Sequence, residues 1–179
     1  MTTLKGGSPV TRRPAVALAA ALALTVVAAP SARAADPLKI AVFDFELVDG
    51  SAGGGVIPAD ATDAENLRLA AEEARRLLEE SGRYRVVDAA GTADDVASAG
   101  GIAHCNGCEG ALAKGLGAER SMAGIITRIT RTEYTLQILV RDVESGQVLS
   151  NDFTGLRMGA NYSWPRGVKW LMTNRVLAQ

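Results

Sequence analysis

The sequence predicts an α/β (α+β) domain built on a mixed β-sheet of about five strands. The elements follow one another as β-α-β-α-β-β-β-α, with helices mainly on one face. Three observations carry this reading. Leu38 to Phe45 is an almost continuously apolar run, as expected of a central strand covered on both sides. Thr62 to Ser81 repeats apolar residues every three or four positions and leads directly into the short β-type run Tyr84-Arg85-Val86-Val87. From Ser121 to Leu156, three segments that alternate or partly alternate are separated by short polar turns, the pattern of an antiparallel meander.

Ahead of the first strand, Lys5, Arg12 and Arg13 precede an apolar stretch from Ala15 to Ala29, and Pro30-Ser31-Ala32-Arg33-Ala34-Ala35 follows. Charged, hydrophobic and small-residue regions in that order are those of a secretory signal. Residues 1–34 are therefore expected to be a signal peptide cut after Ala34, with Ala35 as the alternative, and 35–179 a single domain. The apolar stretch falls short of the roughly 20 residues that span a bilayer, and no cysteine adjoins the cut to carry a lipid. The expectation is a soluble periplasmic protein with no stable membrane insertion after cleavage. Thr11-Arg12-Arg13 raises the twin-arginine route, but Pro14-Ala15-Val16 lacks the bulky apolar residues that usually follow, so general secretion is expected.

Cleavage would remove four of the 19 basic residues (Lys5, Arg12, Arg13, Arg33) and none of the 20 acidic ones, leaving a net charge of −5. No generic nucleic-acid partner is expected on this balance, because phosphate contacts need a concentrated basic face.

Within the domain, the first strand is expected from about Leu38 to Leu47, with Asp44 and Glu46 marking an end that reaches solvent and a candidate site. Gly50 to Gly55 is glycine-rich but lacks phosphate-loop spacing and reads as a connector. The long helix should open on a Thr62/Glu65 capping box and stop at Ser81-Gly82, with Glu72 and Arg76 paired on its wet face. Ala89 to Gly101 has few large apolar residues and reads as a surface excursion, in which Thr92 and Asp95 can cap a turn or two of helix. A small-residue helix runs on to Gly117, with Leu112 and Leu116 on one face.

His104-Cys105-Asn106-Gly107-Cys108 precedes that helix. An even cysteine count in an exported chain favours a disulfide between Cys105 and Cys108, and Asn-Gly suits the turn that closes it. Two alternatives stay open. A Cys-x-x-Cys at a helix start can be redox-active, although the motif follows two strands and lacks the aromatic and proline neighbours of a thioredoxin-type site. Zinc would need more soft ligands than His104, the single histidine, supplies. No metal or other cofactor is expected.

After the meander, whose last turn places Gly146 at a positive φ, Ser163 should cap a final helix with Pro165 in its first turn. Val168, Leu171, Met172 and Arg175 fall on one side of it. Trp164 and Trp170 are read first as packing residues. Arg157 and Arg166 can grip an anion, or more simply pair with Asp44, Glu46 or Asp152.

Five motifs together resemble an uncharacterised family of secreted bacterial proteins, a domain of unknown function of the DUF2380/DUF3280 type. They are Ala41-Val42-Phe43-Asp44-Phe45-Glu46-Leu47, Cys105-Asn106-Gly107-Cys108-Glu109, Gly117-Ala118, Arg141-Asp142-Val143 with Gly146, and Ser163-Trp164-x-Arg166-Gly167. The resemblance covers essentially all of 35–179 and implies no activity. One acidic position of the family's pattern before the tryptophan is missing from Met158-Gly159-Ala160-Asn161-Tyr162. More remotely, the strand order is similar to the periplasmic α/β domain at the N-terminus of TolB and in curli-export and lipoprotein assembly factors.

Two function classes follow. The first is a non-catalytic periplasmic accessory or binding module for an unknown envelope protein or small ligand. Its candidate contacts are Asp44, Glu46, His104, Arg157, Asn161, Trp164 and Arg166. The second is a thiol-disulfide or metal-handling protein using Cys105 and Cys108. The first is preferred, because no nucleophile-base-acid set or paired carboxylates stand out.

Overall fold

Why the first strand breaks is the key to the architecture. A computed structural model of the chain describes residues 2–3, 6, 36–52, 54, 60–157 and 163–179. Most of the expected signal segment lies outside these residues. β1 (Leu38–Val42) and β2 (Glu46–Asp49) are separated by Phe43-Asp44-Phe45 where one strand was expected. Both pair in parallel with β4 (Arg120–Arg128), Val42 beside Met122 and Glu46 beside Ile125. Four residues on the first chain thus match three on the second, and one extra residue reverses which side chains face which way. Ile40 and Val42 point into the larger core before the break, and Phe45 and Leu47 after it. Phe45 swings over Gly124 of β4, where even a Cβ would lie 2.3 Å from the ring.

β3 (Tyr84–Val87) pairs in parallel with the other edge of β1. β5 (Glu133–Asp142) and β6 (Val148–Arg157) complete the antiparallel meander, giving the order β3-β1-β4-β5-β6 with β2 also on β4. The mixed sheet is as expected, with the first strand counted as two. Gly146 takes φ +70° in the last turn.

One face carries α1 (Ala61–Glu80) and α4 (Ser163–Leu171). Ala70, Ala71, Ala74 and Leu78 of α1 are fully buried, small enough to let the helix lie close to the sheet. Its capping box is Asp60 with Asp63 rather than Thr62 with Glu65. Asp63 N–H donates to Asp60 Oδ1 at 2.8 Å and Asp60 N–H to Asp63 Oδ2 at 3.3 Å. On the wet face, Arg76 pairs with Glu73 and Glu80 and Arg68 with Glu65 and Glu72, so the expected Glu72–Arg76 pair is replaced.

From α4, Trp164, Val168 and Leu171 enter the same core. A π-turn over Met172–Val176 follows, with Leu177 N–H donating to Met172 O. That widened turn carries Val176 inward and leaves Arg175 exposed, contrary to the regular spacing. Arg128, 7% exposed, bridges the sheet and α1 by donating to Asp63 (2.5 Å), Asp49 (3.2 Å) and the Tyr134 hydroxyl (3.2 Å).

The opposite face carries a second core around Ala41, Phe43 and Ala123, covered by α3 (Cys108–Gly115) through Ala113, Leu112 and Leu116. α2 (Ala93–Ser98) and a single 3-10 turn, Ala90–Thr92, flank it. Ala35–Gln179 forms one compact unit. Among the described residues no helix is long and apolar enough to cross a membrane.

Candidate functional site

The break after β1 also creates a cleft. In open α/β sheets, ligands bind beyond the carboxyl ends of parallel strands, where the backbone diverges. Here Phe43, Asp44 and Glu46 leave the carboxyl end of β1, and Ala89 to Ala97 form a wall facing them. Gly101 and Ile102 close the far side, enclosing about 260 Å³. The lining is mostly Phe43, Ile102, Val96 and alanine side chains.

Glu46 fixes that far side. The change of side-chain direction at the break turns it toward the second core, where its carboxylate accepts the N–H groups of Ile102 (2.6 Å) and Ala103 (2.9 Å). Gly101 must approach the same carboxylate with φ +93°, and a Cβ there would sit 2.9 Å from Oε2. Only glycine meets both demands without strain. Asp44 is held from the other side of the sheet: Arg75 of α1 donates to it at 2.7 Å and to Val42 O at 3.1 Å.

Ala89 to Gly101 lies largely at the surface, as expected, yet it also packs on the second core through Ala89 and Val96. Ala89, Thr92 and Ile102 are buried. The Thr92 hydroxyl donates to Ala89 O at 2.8 Å, so it closes the turn before α2 and makes no side-chain cap. Small side chains, which read as lack of core, are what let this segment lie against the second core and leave a hollow.

The cysteine loop continues from the cleft. Cys105 and Cys108 have their sulfurs 2.02 Å apart, as in a disulfide. Asn106 (φ +50°) and Gly107 (φ +103°) make the turn between them in the left-handed conformations that suit these residues. Beneath lies a pair that sequence reasoning missed: Glu109, 2% exposed, accepts from Arg141 Nε at 2.8 Å, and Arg141 Nη1 donates to Gly146 O at 2.7 Å. Burial of so polar a residue as Glu109 needs such a partner. Cys105, Cys108 and Glu109 form the one metal-spaced group among the described residues, their ligand atoms within 4.8 Å of one another, but both sulfurs are bonded to each other.

The remaining sequence candidates separate. His104 is exposed on the cysteine loop, two residues beyond Ile102. Trp164 is 2% exposed in the core of the opposite face, its ring centroid 5.5 Å from that of Tyr134; the exposed tryptophan is Trp170. Arg166 is exposed on α4, on that same opposite face. Asn161, and with it the segment from Met158 to Tyr162, lies outside the described residues, as do the Arg157 and Ser163 side chains. Asp44 and Glu46 are thus the candidates that share the cleft. Phe43, Ala93, Val96, Ala97 and Ile102 join them without having been read as site residues.

A family model described as "Protein of unknown function (DUF2380)", DUF3280, matches residues 38–176. A search of curated proteins finds no match. Among solved structures, the lipoprotein GNA1162 from Neisseria meningitidis is 20% identical at TM-score 0.47, covering 80% of this chain and 96% of its own. A PelC dodecamer from Paraburkholderia phytofirmans is 15% identical at TM-score 0.48, covering 77% and 86%. TolB from Acinetobacter baumannii, of the kind expected from the strand order, is 12% identical at TM-score 0.41, covering 76% and 28%. At these scores none of the likenesses bears on what the chain does.

Proposed function

We propose that this chain, which belongs to the DUF3280 family of proteins of unknown function, is an exported, non-catalytic binding module that holds a partner protein of the cell envelope in the cleft after β1. The cleft is the observation that carries this reading. It is concave, mostly apolar and held by a carboxylate-to-backbone clamp, features of a preformed binding site. Its two carboxylates are taken up by Arg75 and by backbone N–H groups, which suits positioning better than acid-base work. Export rests on the N-terminal segment, and a mature protein beginning near Ala35 is the outcome expected from N-terminal sequencing. A photo-reactive amino acid placed at Ala97 in producing cells tests the binding reading. It should cross-link a partner that the same group at Glu79, on the exposed end of α1, does not reach. Equal adducts from both positions, or none from Ala97, contradict it.

A thiol-disulfide role draws on one observation, that Cys108 is the first residue of α3, where the helix dipole favours a thiolate. The two sulfurs are bonded to each other across the tight Asn106-Gly107 turn, and the Glu109 carboxylate beside them is already paired with Arg141. We therefore assign the pair a structural role: it holds the loop that follows the cleft.

A further inference from the structure

We infer that the cleft takes a large apolar side chain carried on a basic peptide segment of the partner; the inference rests on the cleft being the binding site. Two independent properties define the occupant. The first is size. A hollow of about 260 Å³, near the lower end of the roughly 300–1,000 Å³ of ligand sites, has room for one anchoring side chain. Ala90, Ala93 and Ala97 of the wall are exposed, so the chain bearing that anchor can run on over α2.

The second property is charge. Between Arg85 and Lys114 there is no lysine or arginine, while Asp88, Asp94 and Asp95 stand exposed along the wall. Asp44 and Glu46 lie at the cleft itself. Asp94 and Asp95 occupy the first turn of α2, where they suit the helix dipole, and their charges still face solvent. Arg75 pairs with Asp44, so these two charges offset each other and the exposed Asp88, Asp94 and Asp95 set the sign of the wall. A partner segment crossing this wall meets one sign of charge over a low-dielectric hollow, which attracts Lys and Arg and repels Asp and Glu.

The test uses protein purified from the envelope fraction and labelled with 15N. It is titrated with acetyl-Lys-Lys-Leu-Lys-Lys-amide, with the same peptide carrying Glu for Lys, and with a Ser-for-Lys peptide. Shifts should be confined to the amides of 43–46, 89–97 and 101–103. The lysine peptide should bind about tenfold more tightly than the serine one, and the advantage should shrink as salt rises from about 50 to about 300 mM. Ala93→Trp, which fills the hollow from an exposed position, should abolish the shifts. Asp94→Asn with Asp95→Asn should weaken the lysine peptide and leave the serine peptide unchanged. Equal binding of the serine or glutamate peptide at the cleft overturns the charge assignment while leaving the cleft as the binding site. Shifts from none of the three peptides at these amides overturn the cleft reading itself.

Discussion

Replacing Glu46 with glutamine probes the joint between the broken strand and the cleft. The carboxylate accepts two backbone N–H groups, at 2.6 and 2.9 Å, and charge-assisted bonds of this kind contribute about 1.5–3 kcal/mol each. Glutamine keeps one acceptor oxygen but turns its amide nitrogen, a donor, toward the second N–H. Glu46 is half-buried, so water relieves part of the mismatch. The net loss should be about 2 kcal/mol. For a domain of this size that lowers Tm by about 4–8 °C. The same loss should speed hydrogen exchange at Ile102 and Ala103 by about 30-fold if these amides open locally. Thermal unfolding followed by circular dichroism and exchange followed by NMR are the assays. A Tm within about 1 °C of wild type, with unchanged exchange at both amides, refutes the clamp.

Arg128→Leu should cost about 3 kcal/mol in urea unfolding, because it leaves the buried Asp63 carboxylate without its cation while Asp49 keeps Ser51; a loss below about 1 kcal/mol contradicts that. Converting both Cys105 and Cys108 to serine should cost about 2 kcal/mol, the cross-link closing so short a loop, and leave the protein folded. The native pair should have a reduction potential below about −300 mV, and a value above about −200 mV would reverse its structural assignment. On acidification, Asp49 and Asp142 lose stabilising contacts, as does Glu65, whose carboxyl Arg68 holds below its ordinary value. Ser51 holds the Asp49 carboxyl below its ordinary 3.8, first through its hydroxyl, and the Ser145 N–H does the same for Asp142. Their contribution is present in full above that value and is lost as pH falls through the lowered pKa values. Urea midpoints should therefore decline steadily below about pH 4, and a flat profile there contradicts the assignment.

The long helix, the second parallel strand and the meander were legible because each writes its burial into local periodicity. Leu67, Ala70, Ala71, Ala74 and Leu78 trace one stripe, and Tyr134, Leu136, Ile138 and Val140 alternate without a gap. The cysteine turn was legible from Asn106-Gly107, whose positive φ values are a local property. What escaped was set by distant partners. Two capping boxes overlap near residue 60, and Asp63 is engaged by Arg128, 65 positions away. The strand break depends on Gly124 leaving room for Phe45, and no pattern within Leu38 to Leu47 records that. Glu109 stands in the first turn of α3, where an acid is ordinary, and its partner Arg141 lies 32 positions away. The cleft wall was passed over because alanine and glycine give weak hydrophobic signals, although close packing against a sheet favours small residues.

The central claim, that the cleft after β1 is the binding surface, is tested most directly by comparing partner affinity in wild type and Ala93→Trp. The partner is the one cross-linked from Ala97, purified and titrated against each form by calorimetry. The account predicts at least about a tenfold weaker Kd for the variant, with Tm within about 2 °C of wild type. Equal affinities for the two forms, with both folded, contradict it.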